Sequence, residues 1–134
     1  MEKQYAWPEG HWNLPIKVPF SHGVRAGNMI FVGGQVAYDA EANLLHPNDI
    51  VTQTQISMDN VQKVLAEFGA TMNDIVKLHT YFVSIGTREE WKRCAEIRFS
   101  YFDYPGPAST AIPVPALGIP GLMVEIDAIA ILPD

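Results

Sequence analysis

The stretch from Leu122 to Leu132 constrains the fold more than any other part of this chain. Read with the two-residue period of a β-strand, it puts Leu122, Val124, Ile126, Ala128 and Ala130 on one face and Met123, Glu125, Asp127, Ile129 and Ile131 on the other. Both faces are mostly apolar. A sheet built around such a strand needs cover on both sides, because a large apolar face left in water is unstable or sticky.

The rest of the chain offers two helices for that cover. Val51, Ile56, Val61, Val64, Leu65 and Phe68 recur three to four residues apart over Asp49 to Phe68, which predicts one face of an amphipathic helix, with Gly69 at its C-terminal end. Thr87-Arg88-Glu89-Glu90 reads as a capping box that opens a second helix, with Trp91, Cys94, Ala95, Arg98, Tyr101 and Phe102 on its buried face and Pro105-Gly106-Pro107 ending it. Strands are predicted at Asp74–Ser84, rich in β-formers, and at Ala108–Val114. A hairpin is predicted from Phe20 to Val36, turning at Arg25-Ala26-Gly27-Asn28, with Gly33 and Gly34 marking a bulge or a close approach in its second strand. The expected class is therefore α+β, residues 17–134 forming one domain behind an irregular N-terminal arm, 1–16, that lies over another surface through Trp7 and Trp12. Two helices cover only one side of a sheet, so neighbouring subunits are expected to cover the other.

Composition excludes several function classes. Nine Lys and Arg against fifteen Asp and Glu give a net charge of −6 with no concentrated basic face, which opposes a phosphate backbone and argues against nucleic acid as a partner. No run approaches the roughly 18 apolar residues of a membrane helix, and the N-terminus lacks the basic-then-apolar order of a secretory signal, so a cytoplasmic protein with no membrane partner is expected. Cys94 is the only cysteine and reads as a buried apolar thiol. His11, His22, His46 and His79 lie on different elements without ligand spacing, and no metal is expected.

Glu125 is the most informative single residue, because a carboxylate that interrupts an apolar strand must be paired, hydrogen-bonded or protonated. A structural ion pair satisfies that requirement; so does a catalytic group that holds a water and exchanges protons with it. Asp127 shares its face. Ser109 and Thr110, just after the Pro-Gly-Pro break, can donate to a ligand carbonyl or carboxylate or can simply cap a strand, and neither has a His-Asp partner that would make it a nucleophile.

The order of elements, with Gly27-Asn28-Met29-Ile30-Phe31-Val32-Gly33-Gly34-Gln35, Asp59-Asn60-Val61, Asp74-Ile75-Val76-Lys77, Pro107-Ala108-Ser109-Thr110 and Val124-Glu125-Ile126-Asp127-Ala128-Ile129-Ala130, resembles the reactive intermediate deaminase (Rid, YjgF-like) family from about Pro19 to Ile131. The resemblance implies a chorismate-mutase-like mixed sheet with two helices on one face, assembled as a homotrimer with clefts between subunits. It also implies cofactor-free hydrolysis of small enamines or imines to a keto acid and ammonia. Residue by residue, the family's water-positioning glutamate falls on Glu125, and the Gly-Gln pair bordering the cleft on Gly34 and Gln35. The family's carboxylate-gripping arginine is replaced by Ser109, an aromatic tyrosine position by Phe20, and an asparagine on the second helix at or near Ala95.

A bidentate guanidinium supplies both charge and orientation to a carboxylate, and a serine hydroxyl copies neither. The turn from Pro115 to Gly121 is one residue longer than the family's and more apolar. The expected function is thus a deaminase of a specialised, less charged or larger substrate, with Glu125 and Ser109 catalytic and Phe20, His22, Gly34, Gln35 and Thr110 binding the substrate. The sequence leaves open whether His22 or His79 takes over the arginine's charge. The alternative is a trimer that binds metabolites without turnover.

Overall fold

The computed structural model describes residues 1–83 and 86–134. Among the described residues, six strands and two α-helices follow one another: β1 (Lys3–Ala6), β2 (Gly23–Ala26), β3 (Met29–Gln35), α1 (Ile50–Ala66), β4 (Ile75–Val83), α2 (Arg88–Phe99), β5 (Ala108–Val114) and β6 (Val124–Ile131). They form one sheet in the order β1-β2-β3-β6-β4-β5, antiparallel except for the parallel pair β4 and β5. The parallel pair requires a crossover, and α2 provides it. The strand with two apolar faces, β6, is central, bonded to β3 on one side and β4 on the other.

The core lies between the sheet and the helices. Met58, Val61, Val64 and Leu65 of α1 pack against Ile30, Leu78, Val124, Ile126 and Ala130, all of them fully or almost fully buried. Asp49 starts α1, its carboxylate accepting the Thr52 backbone N–H at 3.0 Å and the Thr52 hydroxyl at 2.7 Å. Thr87 starts α2 by accepting the Glu90 N–H at 3.2 Å. The opposite face of the sheet is left uncovered by the chain itself: Phe31, Ile112 and Ile131 on it are about 40% exposed (41%, 43% and 39%).

Three expectations need correction or trimming. The N-terminal arm is not irregular throughout, since Lys3–Ala6 pairs with β2 in the register Lys3↔Ala26 to Ala6↔Gly23 and forms an edge strand too short to show periodicity. Trp12 is buried in this chain's own second apolar cluster with Val36 and Leu122. Trp91 is 47% exposed rather than core, because it lies about 60° round the helix from Cys94, on the flank of the inward face. The expected end of the β4 strand, Ser84, lies outside the described residues.

Candidate functional site

The site begins with a defect in the sheet. Val32 pairs with Ala128 and Gln35 with Ile126, so three residue steps on β3 match two on β6 and one residue is extra. That is a β-bulge, and Gly33 and Gly34 occupy it. The Glu125 carboxyl rests on the backbone of Gly34, where its Cδ stands 2.8 Å from the point a Cβ at position 34 would fill. Glycine is required there because the carboxyl takes the side chain's place.

Glu125 is half-buried and, among the described residues, its carboxylate accepts no hydrogen bond. Burial, with the charge of Asp127 two residues along the same face, raises its pKa above the usual glutamate value. Tyr81 on β4 lies directly across the strand pair from it. The next row holds Asp127, whose Oδ1 accepts from His79 Nδ1 at 2.6 Å, and beside that Lys77 Nζ donates to Thr110 Oγ1 at 2.7 Å. The uncovered face therefore carries a polar band in which Asp127, His79, Lys77 and Thr110 are mutually satisfied and Glu125 stands apart.

The expected site residues fall into three groups. Glu125, Gly34 and Thr110 share the uncovered face. Ser109 is exposed, pairs with Leu78 and points to the opposite side of β5 from Thr110. It is two strands from Glu125 and three residues from the matching register, about 10 Å across and about 10 Å along the sheet, so the two cannot meet within one chain. Phe20, His22 and Gln35 form the third group, beneath the bulge. The Gln35 side-chain oxygen accepts from His11 Nε2 at 2.7 Å and Trp12 Nε1 at 3.0 Å, and its amide donates to His22 Nδ1 at 3.1 Å and the Gly33 carbonyl at 3.2 Å. Phe20 stands edge-on to His22, with ring centres 5.5 Å apart. His22 and Gln35 are buried, so their side chains brace the strand that carries Gly34.

Sequence reasoning passed over Tyr38 and Tyr81. Tyr81 was recoverable from the alternation of Lys77, His79 and Tyr81 along β4, whereas Tyr38, just beyond a strand end, carries no periodic signal. Two surface cavities flank the region: one of 370 Å³ lined by Val83, Leu117, Ile119 and Met123, and one of 280 Å³ lined by Ile75, Phe102, Pro105 and Pro107. Neither is lined by Glu125, which lies on an open sheet face. Among the described residues no group of three or more His, Cys, Asp or Glu side chains is placed to hold a metal, and no helix is long and apolar enough to cross a membrane.

The profile of the Endoribonuclease L-PSP family, which takes in the Rid, YjgF and RutC proteins, matches residues 13–132. The chain belongs to this family. A RutC family protein of Pyrococcus abyssi is 33% identical over 112 residues, covering 84% of this chain and 85% of the relative. A solved structure from Thermotoga maritima matches with a TM-score of 0.83 at 27% identity, covering 100% of both chains. A YjgF-family structure from Mycobacterium tuberculosis matches with a TM-score of 0.72 at 30% identity, over 86% of this chain and 88% of that one. The six-stranded mixed sheet with two helices is thus the Rid fold, whose members generally deaminate enamine or imine intermediates and are typically homotrimers that bind small metabolites.

Proposed function

We propose that this Rid-family chain is a cytoplasmic, cofactor-free hydrolase of a C–N bond in a small enamine or imine, working in clefts between the subunits of a homotrimer. The observation that carries the reading is Glu125: a half-buried carboxyl without a hydrogen-bond partner among the described residues, seated on a glycine bulge, with its pKa raised above the usual glutamate value by burial and by Asp127. Such a group can take a proton from water as the oxygen adds to the C=N carbon and return it to the nitrogen as ammonia leaves. Ser109 and Thr110 supply hydroxyls to a substrate carbonyl or carboxylate, and Gly34 lines the floor. Phe20, His22 and Gln35 shape that floor from below.

Ser109 on the far side of the sheet supports a shared cleft, because only a neighbouring chain can bring it to Glu125. The serine in the arginine's place, with Leu117 and Ile119 in the nearby turn, favours a specialised substrate over simple 2-imino acids. The net charge of −6 weighs against RNA cleavage despite the family's endoribonuclease label.

The test is imine decay and ammonia release from 2-imino acids made in situ by an amino-acid oxidase, with wild type, Glu125→Gln and Ser109→Arg. The reading expects hydrolysis that requires Glu125 and that rises on simple imino acids in Ser109→Arg. Turnover unaffected by Glu125→Gln would sink it. The alternative, a metabolite-binding trimer without turnover, draws on the His79–Asp127 and Lys77–Thr110 pairs, which already satisfy most of the polar face. It predicts ligand binding with no ammonia from any variant.

A further inference from the structure

The polar band beside Glu125 is satisfied inward, yet one of its atoms is left over. His79 Nδ1 stands 2.6 Å from Asp127 Oδ1, and because an ionised carboxylate can only accept, that nitrogen carries the ring proton. In the neutral ring the other nitrogen, Nε2, then offers a lone pair. Among the described residues Nε2 makes no hydrogen bond, and the side chain keeps 29% of its surface open. The ring is held from two directions: Asp127 sets which nitrogen faces inward, and the Tyr81 ring lies alongside with planes 27° apart and centres 6.5 Å apart. Lys77, the next residue on this face of β4, gives its ammonium to Thr110 at 2.7 Å, so among the described residues Asp127 pairs with His79 and with no other cation. The register places the pair beside Glu125. Glu125 faces Tyr81 across β6 and β4, and Asp127 faces His79, which makes His79 the diagonal neighbour of Glu125 on one sheet face, roughly 7–8 Å away. The Glu125 carboxyl leans the other way, onto Gly34 of β3, and the space between carboxyl and ring is wide enough for a reacting carbon. His22, by contrast, is enclosed in the Gln35 network.

We propose that His79 is a second catalytic base of the Glu125 site, its Nε2 taking the hydroxyl proton of the carbinolamine as the C–N bond breaks, with Asp127 and Tyr81 as positioning residues. The role rests on the hydrolytic reading given above. Water oxygen bonds to the carbon of a protonated imine, the C=N electron pair moves to nitrogen, and one water proton passes to Glu125. Glu125 then gives that proton to the nitrogen of the carbinolamine. The O–H electron pair forms the second C–O bond, its proton goes to His79 Nε2, and the C–N pair leaves with nitrogen as ammonia. The Asp127 carboxylate stabilises the imidazolium so formed, as a carboxylate does behind any general-base histidine. The imidazolium passes its proton to ammonia or to solvent, and the ring returns neutral. Two protons leave the attacking oxygen in this sequence, and each has its own acceptor.

Two variants test the role. His79→Asn puts an amide N–H where Nδ1 stands, so Asp127 keeps a donor while the base is gone; His79→Ala removes both and leaves room for free imidazole. The measurements are kcat and KM on imines generated in situ, with and without imidazole and corrected for the protein-free rate, while thermal melting and sedimentation report fold and assembly. The expected result is a kcat lower by roughly 100-fold or more in both variants, with KM, melting temperature and mass little changed. Imidazole should restore turnover to His79→Ala in a saturable way and do nothing for Glu125→Gln. A His79→Asn protein with the wild-type kcat overturns the role, since pairing with Asp127 is then all the ring supplies, and leaves the hydrolase reading standing. A slow His79→Ala protein that imidazole leaves slow overturns it likewise. A wild type that hydrolyses none of these imines overturns the hydrolase reading, and the role of His79 with it.

Discussion

Gly34 and Glu125 form a unit that one methyl group would break. The point where an alanine Cβ would stand is already filled by the Glu125 carboxyl, yet the Gly34 backbone is not in the left-handed region, so alanine can adopt it. Gly34→Ala should therefore leave stability within about 1 kcal/mol of wild type while displacing the carboxyl, and imine turnover should fall by roughly 10- to 100-fold. Full activity in a folded Gly34→Ala protein would show that the seat is irrelevant. A second residue-scale consequence concerns pH. The Gln35 network uses His22 Nδ1 as an acceptor, which requires a neutral ring with its proton on Nε2, and that Nε2 is buried without a partner. Burial first, and then the charge of His11, lower the His22 pKa to about 4. The unfolded ring binds its proton near the ordinary value of about 6.5, so this contribution to stability is complete above that pH and is lost as the pH falls toward 4. Glu125 acts in the opposite sense: its raised pKa favours the fold at low pH and the benefit is lost as pH rises through it. Denaturant unfolding at about pH 7 and about pH 4.5 should show a net loss of roughly 1–3 kcal/mol at the lower pH, with a flatter profile in His22→Phe. Equal pH slopes for the two proteins would exclude His22 as the source.

Gln53 ties the elements around the site together. It is fully buried on α1, its amide donates to the His46 carbonyl at 2.8 Å and the Gly121 carbonyl at 2.9 Å, and its oxygen accepts the Met123 N–H at 2.8 Å. One side chain thus fastens the start of α1 to the turn that passes Tyr38 and enters β6 at Glu125. Gln53→Ala leaves the Met123 N–H without its partner and takes one of two donors from each of the His46 and Gly121 carbonyls, which keep the N–H of Asp49 and of Asn48, and should cost about 1–3 kcal/mol by denaturant unfolding, with faster proteolysis in the turn 115–121. A loss below about 1 kcal/mol would mean that water replaces the amide at no cost. Gln53 also marks the boundary of what the sequence discloses. The core faces of α1 and β6 were legible because their apolar period is long and regular, and Gly33-Gly34 disclosed the bulge because strands have few other uses for paired glycines. Gln53 was not legible: a polar residue inside an amphipathic helix reads as solvent-facing until Gly121 and Met123, 68 and 70 positions away, are brought to it by the sheet. The same holds for β1, four residues long and defined only by pairing, and for Tyr38, whose position comes from the ring of Trp12 rather than from any local pattern. Glu125 was legible as an anomaly, whereas the mutual pairing of His79 with Asp127 needed the register of β4 against β6.

At the scale of the whole molecule, the central fact is that the sheet has one face covered by helices and one face uncovered, with Glu125 on the second and Ser109 pointing to the first. If both residues serve one cleft, each cleft takes them from different chains, and the contact between subunits must be heterologous and close on itself, as a threefold ring does. An assembled ring should run at about three times the mass of one chain in sedimentation, and Ile129→Asp, which places an unpaired charge on the uncovered face, should shift it toward monomer and abolish turnover together. The shared cleft has a sharper consequence. Glu125→Gln chains and Ser109→Ala chains are each impaired when assembled alone, because every cleft lacks one group. Unfolding the two together in equal amounts and refolding them distributes the chains at random, so roughly one cleft in four receives Glu125 from one neighbour and Ser109 from the other. Activity in the mixture should then exceed the mean of the two separate preparations, approaching about a quarter of the wild-type rate, while unmixed controls taken through the same cycle stay low. If both groups acted from the same chain, mixing would create no new complete site, and the mixture would never rise above the average of its parts.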